Sequence, residues 1–486
     1  MTPRPRTGHA TERRDHPGAP RRTGRLRGGF PQWTWIAIIA PTSALIAVAY
    51  GPARLGYDAL FALIWGRQLY RLELPTFDAA DAPTPHPLAN IVAALLAPLG
   101  DDASATAVVA LACVAFGAAG YAAWLTGSRL FGPACGLLFA LLVLTRPGLV
   151  VALLFASTDL WFVALVLLAG AQIAHRPMAS TGPLVALALA GLLRPEAWAL
   201  AITYVVFLAI RRAPARRMLS AVALMLVAPV IWMSLDWVWA GDPLHSLRAT
   251  RELAAALERP RGLGAAIDLG AEYLAALLGE PLLWAGLAGC IIVTALTPER
   301  AMLPAAVLLT GMAGFAILAI AGLPLIERYL VLPALALTFF AAAATVGWPA
   351  LPHRPPRRAW MVGAIAVLGL GAALLPAQVR ELRDVREQAA ERRDHQLALR
   401  SIASQLHDVP ARCVIEVPSF QDVQAMVLFA DLPSRQFLAA DRPLDGRAPA
   451  ADLRVLERSS TRLSAAVPRA QARGLVLIAD AGGAGC

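Results

Sequence analysis

Residues 302–333 read MLPAAVLLTGMAGFAILAIAGLPLIERYLVLP. From Met302 to Leu323 there is no charge, and as a helix the stretch is long enough to cross the roughly 30 Å hydrocarbon core of a bilayer. Glu327 and Arg328 interrupt it, and a second apolar run leads from Tyr329 to Val346. Two such runs joined by a short charged hinge decide the fold class, because a helix satisfies its own backbone in lipid and an irregular segment does not. The pattern repeats outward at Trp33–Tyr50, Leu88–Leu99, Ala105–Thr126, Phe131–Phe155 (broken at Thr145–Pro147), Leu160–Ala174 and Pro183–Leu193. It continues at Ala197–Ile210, Met218–Trp239, Pro281–Leu296 and Trp360–Leu375. The chain is therefore expected to be an all-α polytopic membrane protein with about 12 transmembrane helices.

Composition agrees. Of 486 residues, 58% are hydrophobic and 16% charged, against roughly 45–50% and 25% in soluble domains. A water-soluble globule is excluded, and the wealth of Leu, Val and Phe excludes a disordered chain. The net charge of +10 rests on 43 basic residues, every one an arginine. Many lie in short loops between apolar runs, where they set topology, so no nucleic-acid partner is expected. Of the five cysteines, Cys113, Cys135 and Cys290 sit in apolar runs as small core residues, while Cys413 and Cys486 flank a polar C-terminal segment and are expected to pair.

Residues 1–28, rich in Arg, Pro and Gly, read as a disordered cytoplasmic tail, followed by a transmembrane domain over 29–376 with outer loops at 51–87 and 240–280. In the first outer loop, Tyr57–Tyr70 (YDALFALIWGRQLY) has the spacing of a helix lying in the membrane interface. The basic tail sets the first span from inside to outside, and placing the basic loops Arg211–Arg217 and Arg354–Arg358 inside puts Gly241–Gly279, Pro324–Arg328 and residues 377–486 outside the cytoplasm. The last segment combines a charged helical pattern (Arg380–Leu406) with short β-like runs, which predicts a small extracytoplasmic α/β domain.

No phosphate-binding loop, dinucleotide fingerprint, HExxH or CxxC is present, and the eight histidines are scattered. What remains is a set of ionisable residues at span ends on one face, where burial is costly and function is the first hypothesis. Asp58 follows the first span; Asp78 and His86 occupy the proline-rich loop FDAADAPTPHPL. Asp159 opens a helix after a broken one, where capping alone would also explain it. Arg194 and Glu196 flank a proline in LLRPEAW and are able to pair with each other. Asp242, His245 and Arg248 lie in GDPLHSLRATREL, which also fits an interfacial helix with snorkelling arginines. Arg328 stands at headgroup depth, where a guanidinium grips phosphate in bidentate fashion or simply anchors the span.

The order of these features resembles the GT-C superfamily of integral membrane glycosyltransferases, the protein O-mannosyltransferase-like and aminoarabinose-transferase-like enzymes. Those families carry an acid soon after the first span, matched here by Asp58, and an HPPL-like motif before a helix, matched by HPL at His86–Leu88 with one proline fewer. An acid opening a later helix matches Asp159, and an RYLLP-like motif matches RYLVLP at Arg328–Pro333. The resemblance covers roughly residues 30–350, by order and spacing more than identity. The usual acidic pair of the first loop is absent, since Ala59 follows Asp58.

The resemblance implies transfer of a sugar from a polyprenyl-phosphate donor to an unknown envelope acceptor, with inversion, on the outer face of a bacterial inner membrane. Asp58 is then the expected base, with Asp78 second, and Arg328 with Arg194 or Arg248 the expected holders of the donor phosphate. His86, Asp159, Glu196, Asp242 and His245 complete the expected substrate site, and the lipid tail lies among apolar helices. Some members of the superfamily use a divalent ion, which Asp58 and Asp242 would ligate through hard oxygens; most users of lipid-phosphate sugars need none, and no cofactor is expected. Two other classes compete: a secondary transporter, and a non-catalytic membrane protein binding an envelope partner through its C-terminal domain. The lack of a repeat between halves and the gathering of charge at span ends favour the transferase.

Overall fold

The computed structural model describes residues 34–51, 54–76, 84–256, 258–350, 354–406, 408–410, 412–441, 451–457, 468–472 and 474–479. The tail 1–28, Asp78 and Cys486 lie outside these; Cys413 is disulfide-bonded.

The first half runs α1 (Thr34–Tyr50), α2 (Tyr57–Tyr70), α3 (Pro87–Leu96), α4 (Asp101–Phe131), α5 (Pro133–Leu144), α6 (Pro147–Leu154), α7 (Asp159–His175), α8 (Thr181–Gly191) and α9 (Glu196–Ile210). It is followed by α10 (Ala215–Ala240), α11 (His245–Ala256), α12 (Gly262–Leu278), α13 (Glu280–Leu296), α14 (Pro298–Ile320), α15 (Val331–Val346) and α16 (Arg354–Ala403). By length and composition five helices suffice to cross a membrane, or seven if the bent pairs α5–α6 (56°) and α12–α13 (106°) each count as one span. Five more apolar helices are shorter, so the expected count of about 12 depends on broken and abutting helices rather than on straight spans. The chain is a multi-pass membrane protein.

Proline and arginine explain the breaks. Pro147 forces the preceding Arg146 into an extended conformation, which ends α5 and starts α6 on a new axis. Buried Arg146 then repairs the exposed backbone, donating from Nε to Leu142 O (3.1 Å) and from Nη1 to Leu278 O (2.8 Å), the last turn of α12.

At the centre lies α15, buried from Val331 to Thr345 and apolar all round. Between lipid-embedded helices there is no hydrophobic driving force, so close packing must hold them. Gly286 and Gly289 of α13 supply it: a Cβ at either would collide with the Leu337 or Phe340 carbonyl of α15. This fit fixes the start of α15, and with it Arg328.

The polar C-terminal segment holds β1 (Ile415–Val417), α17 (Phe420–Ala430), β2 (Phe437–Ala439), β3 (Leu453–Glu457), β4 (Pro468–Ala472) and β5 (Leu475–Ala479) in one sheet of order β2-β1-β3-β5-β4. β1 pairs parallel with β2 and β3; β5 pairs antiparallel with β3 and β4. The expected boundary at 376/377 falls inside α16, which continues through Pro376 from its apolar half into its charged half. α2 does not lie open on the membrane interface: Ala59–Gly66 are all buried, between α3 on one side and α17 on the other.

Candidate active site

Asp58 occupies the first turn of α2, where a carboxylate suits the positive end of the helix. That turn is pinned to the α6–α7 junction. The Gly56 N–H donates to Phe155 O at 2.7 Å, and a Cβ on Gly56 would stand 2.8 Å from that oxygen, so the approach requires glycine. Arg328 lies in the 3-10 turn Glu327–Leu330 that leads into α15, and its Nη1 donates to Asp58 Oδ2 at 2.8 Å. Burial by itself would raise the Asp58 carboxyl, but the Arg328 guanidinium, helped by Arg194 and by His86 when that ring is protonated, overrides it and holds the group below the usual carboxylate range.

His86 precedes Pro87 and is accordingly extended. Its Nδ1 stands 2.6 Å from Leu193 O, and since a carbonyl only accepts, Nδ1 carries the proton. Nε2 then faces Asp58 Oδ2 at 4.0 Å. Burial pushes the imidazole below its ordinary value; Asp58 pulls it up, Arg328 pulls it down again, and the balance is low. The ring is neutral at pH 7, with its Nε2 lone pair free to accept. Leu88 N–H donates to Leu192 O (3.2 Å), so the HPL turn is stapled to LLRPE.

Arg194 is the buried hub of that second motif. Nη1 donates to Asp159 Oδ1 (2.9 Å), Nη2 to Glu196 Oε1 (2.6 Å) and to the backbone oxygen of Arg328 (3.3 Å). The guanidinium also lies over the rings of Phe162 and Tyr329. A cation so enclosed is fully engaged in holding other groups.

Two chambers meet here. One of about 580 Å³ is bordered by Asp58, Tyr57 and Phe155, and by Phe420 and Gln421 of the C-terminal domain. The other, about 270 Å³, is lined chiefly by apolar side chains, among them Trp198, Trp232, Leu247 and Leu318, with His86 at its edge. Asp159, Leu253, Arg259 and Arg328 line both and form the partition. The Arg328 side chain is 41% exposed, and so within reach of a ligand despite its ion pair.

Similarity to known proteins lies in the fold. No protein-family model matches the chain, and no curated protein sequence does. Among solved structures, ArnT from Cupriavidus metallidurans bound to undecaprenyl phosphate is similar over 94% of this chain and 100% of its own, with a TM-score of 0.53 and 16% identity. The same ArnT in the apo state gives 0.51 and 17%, over 92% and 98%. The apo oligosaccharyltransferase of Archaeoglobus fulgidus gives 0.50 and 13%, over 82% of this chain and 64% of that one. The chain has the GT-C fold.

On this GT-C framework Asp58, His86, Asp159, Arg194, Glu196 and Arg328 converge. Asp242 and Arg248 do not join them. They pair with each other, the Arg248 side chain is 62% exposed, and neither they nor His245 line either chamber. Asp242 does not border the chamber that Asp58 borders, and among the described residues no cluster of three or more His, Cys, Asp or Glu is placed to hold an ion.

Two polar residues of the site were not singled out in the sequence. Arg259 borders both chambers and makes no ion pair among the described residues; it follows Glu258, whose backbone is left-handed (φ 50) and turns the chain inward. Asp236, inside the span α10, accepts from Ser246 Oγ (2.6 Å) and Ser246 N (2.9 Å) and so caps α11. An acid within WMSLDWVW was a visible signal; Arg259, in the charged stretch LERPRG, was not.

Proposed function

We propose that this chain is a membrane glycosyltransferase that moves a sugar from a polyprenyl-phosphate donor to an envelope acceptor on the outer face of a bacterial inner membrane. The N-terminus is then cytoplasmic and the C-terminal domain outside. The observation that carries this is the Asp58–Arg328 pair set at the partition between a chamber with a carboxylate wall and an apolar one, on a GT-C fold.

The chemistry follows from the partition. The polyprenyl chain lies in the apolar chamber and its phosphate at Arg328 and Arg259. The acceptor hydroxyl enters from the Asp58 side. As its oxygen bonds to the anomeric carbon from the face opposite the phosphate, the bond from that carbon to the phosphate oxygen breaks. The proton passes to Asp58, the configuration inverts, and polyprenyl phosphate leaves as an anion stabilised by the two guanidiniums. By itself the Arg328 ion pair depresses the basicity of Asp58. A bound phosphate competes for the same guanidinium, weakens its hold on the carboxylate, and raises the carboxylate's affinity for a proton when the donor is in place. Arg194 acts at one remove, fixing the Arg328 backbone and Asp159.

The test is native mass spectrometry of detergent-released protein with a panel of polyprenyl-phosphate sugars, wild type beside Arg328→Ala. Retention of a lipid-linked sugar by the wild type and its loss in the variant is expected. Binding of none, or equal binding by both, would overturn the donor site.

A further inference from the structure

A second polar cavity, of about 320 Å³, lies at the far end of α2 from Asp58. Asp58 and Gln68 are ten residues apart on one helix, which places the cavity roughly 15 Å from the reacting groups. One wall is α2 and the loop after it; the other is α17 and the loop that follows. The two helices run parallel. Tyr57 meets Phe420 at one end (ring centroids 6.1 Å), and Arg67 donates to Leu428 O at the other (3.1 Å).

This cavity is not a gap left by poor packing. Phe61 and Trp65, 4.9 Å apart, form an aromatic floor. Arg67 and Arg71 both bind Asp431, which fastens the two walls together at the rim. Gln424 is 1% exposed and lines the cavity, yet neither its amide oxygen nor its amide nitrogen has a hydrogen-bond partner. A buried amide left with both valences open is rare in a native protein and asks for a ligand or water. Ser434 and Arg435 stand beside it, and Arg435 makes no ion pair among the described residues.

We propose that this cavity binds one sugar unit of a glycan. An amide, a hydroxyl and a guanidinium around an aromatic floor match a ring that offers hydroxyls at its edge, each both donor and acceptor, and C–H groups on its face. The volume is at the lower end of the roughly 300–1,000 Å³ typical of small-ligand sites. On the transfer reading above, which this assignment extends, the unit belongs to the acceptor and is held while a distant hydroxyl of the same glycan reaches Asp58.

Saturation-transfer NMR on the full chain in detergent, without any donor, tests the cavity directly. The probes are glucose, N-acetylglucosamine and glucuronate, with methyl phosphate, whose methyl protons report binding, as control. At least one sugar should receive saturation in wild type and in Asp58→Asn, and lose affinity roughly tenfold in Arg435→Ala and in Gln424→Leu. Gln424→Leu exchanges an unpaired amide for an apolar group of similar size, so its melting temperature should stay level or rise while binding falls; a purely structural Gln424 would give the opposite. Absence of saturation for all three sugars, binding unchanged in both variants, or methyl phosphate binding as well as the sugars would overturn the proposal. Because no transfer is measured, failure of the donor-site test leaves this result readable by itself.

Discussion

The Asp58 carboxylate and the Arg328 guanidinium, 270 residues apart in the chain, meet at 2.8 Å on the partition between two chambers. Each is fixed by its own scaffold, Asp58 by the Gly56 contact with Phe155 and Arg328 by the close fit of α15 against α13. The pair therefore joins the outer loop to the helix core. Asp58→Asn should lower transfer by roughly 10²–10⁴-fold, the range for loss of a general base, while the protein still inserts and folds. Turnover assays on purified protein would show this; wild-type rates would move the base elsewhere.

Gly56→Ala offers a test of positioning without touching chemistry. The added methyl meets the Phe155 carbonyl at 2.8 Å, so the first turn of α2 must shift and carry Asp58 with it. An ångström of misplacement is enough to cost about 10²-fold in rate. Donor retention in native mass spectrometry should persist, because Arg328 is held by α15, and a loss of both together would contradict this division of roles.

Arg194 makes a stability prediction. Its side chain is 4% exposed and neutralises Asp159 and Glu196. Arg194→Met would strand two carboxylates, a change that typically destabilises by about 3–5 kcal/mol. Thermal unfolding in detergent should show a large fall, partly recovered when Glu196→Gln is added. A melting temperature near wild type for the single variant would mean that the network is hydrated and weak.

His86 sets a pH dependence with a definite sign. Its folded value is pushed below the ordinary 6.5 by burial, so in the window just under 6.5 the unfolded chain takes a proton that the folded chain refuses. Its contribution to stability is therefore complete above pH 6.5 and is lost as the pH falls below it. Melting temperatures at pH 7.5 and 5.5 should differ more in wild type than in His86→Gln. Equal slopes would show that the ring titrates freely in the folded protein.

Much of this was legible in the sequence, and the residues show why. Asp58, Arg194 and Arg328 stand out because charge at the end of an apolar run is costly and therefore conspicuous. The GT-C fold was readable from the order of those residues together with HPL and RYLVLP. What escaped depends on partners distant in the chain. α2 has an amphipathic pattern that suits a membrane surface, but its cover, α17, lies some 360 residues away, and nothing local announces it. Pro376 reads as a helix end, yet α16 passes through it, as proline-containing helices at a membrane can.

The two outer-loop arginines separate the sequence reading from the structural one. Arg248, in a helix-forming stretch beside Asp242, carries the better motif, whereas Arg259 sits in a run of charges that reads as a solvated turn. The structure reverses their promise. Arg248 pairs with Asp242 at the surface and borders neither chamber, while Arg259 borders both and has no carboxylate to neutralise it among the described residues. A solvent-screened surface pair contributes little, so Arg248→Ala should leave transfer and stability close to wild type. On the proposed reading Arg259 faces the departing phosphate, and Arg259→Ala should slow transfer by roughly 10²-fold, with Arg259→Lys recovering part of the loss. Side-by-side turnover of the three variants decides the matter. If Arg248→Ala proves the slower of the two alanine variants, α11 must turn toward the donor on binding, and the phosphate is gripped from the opposite side of the apolar chamber.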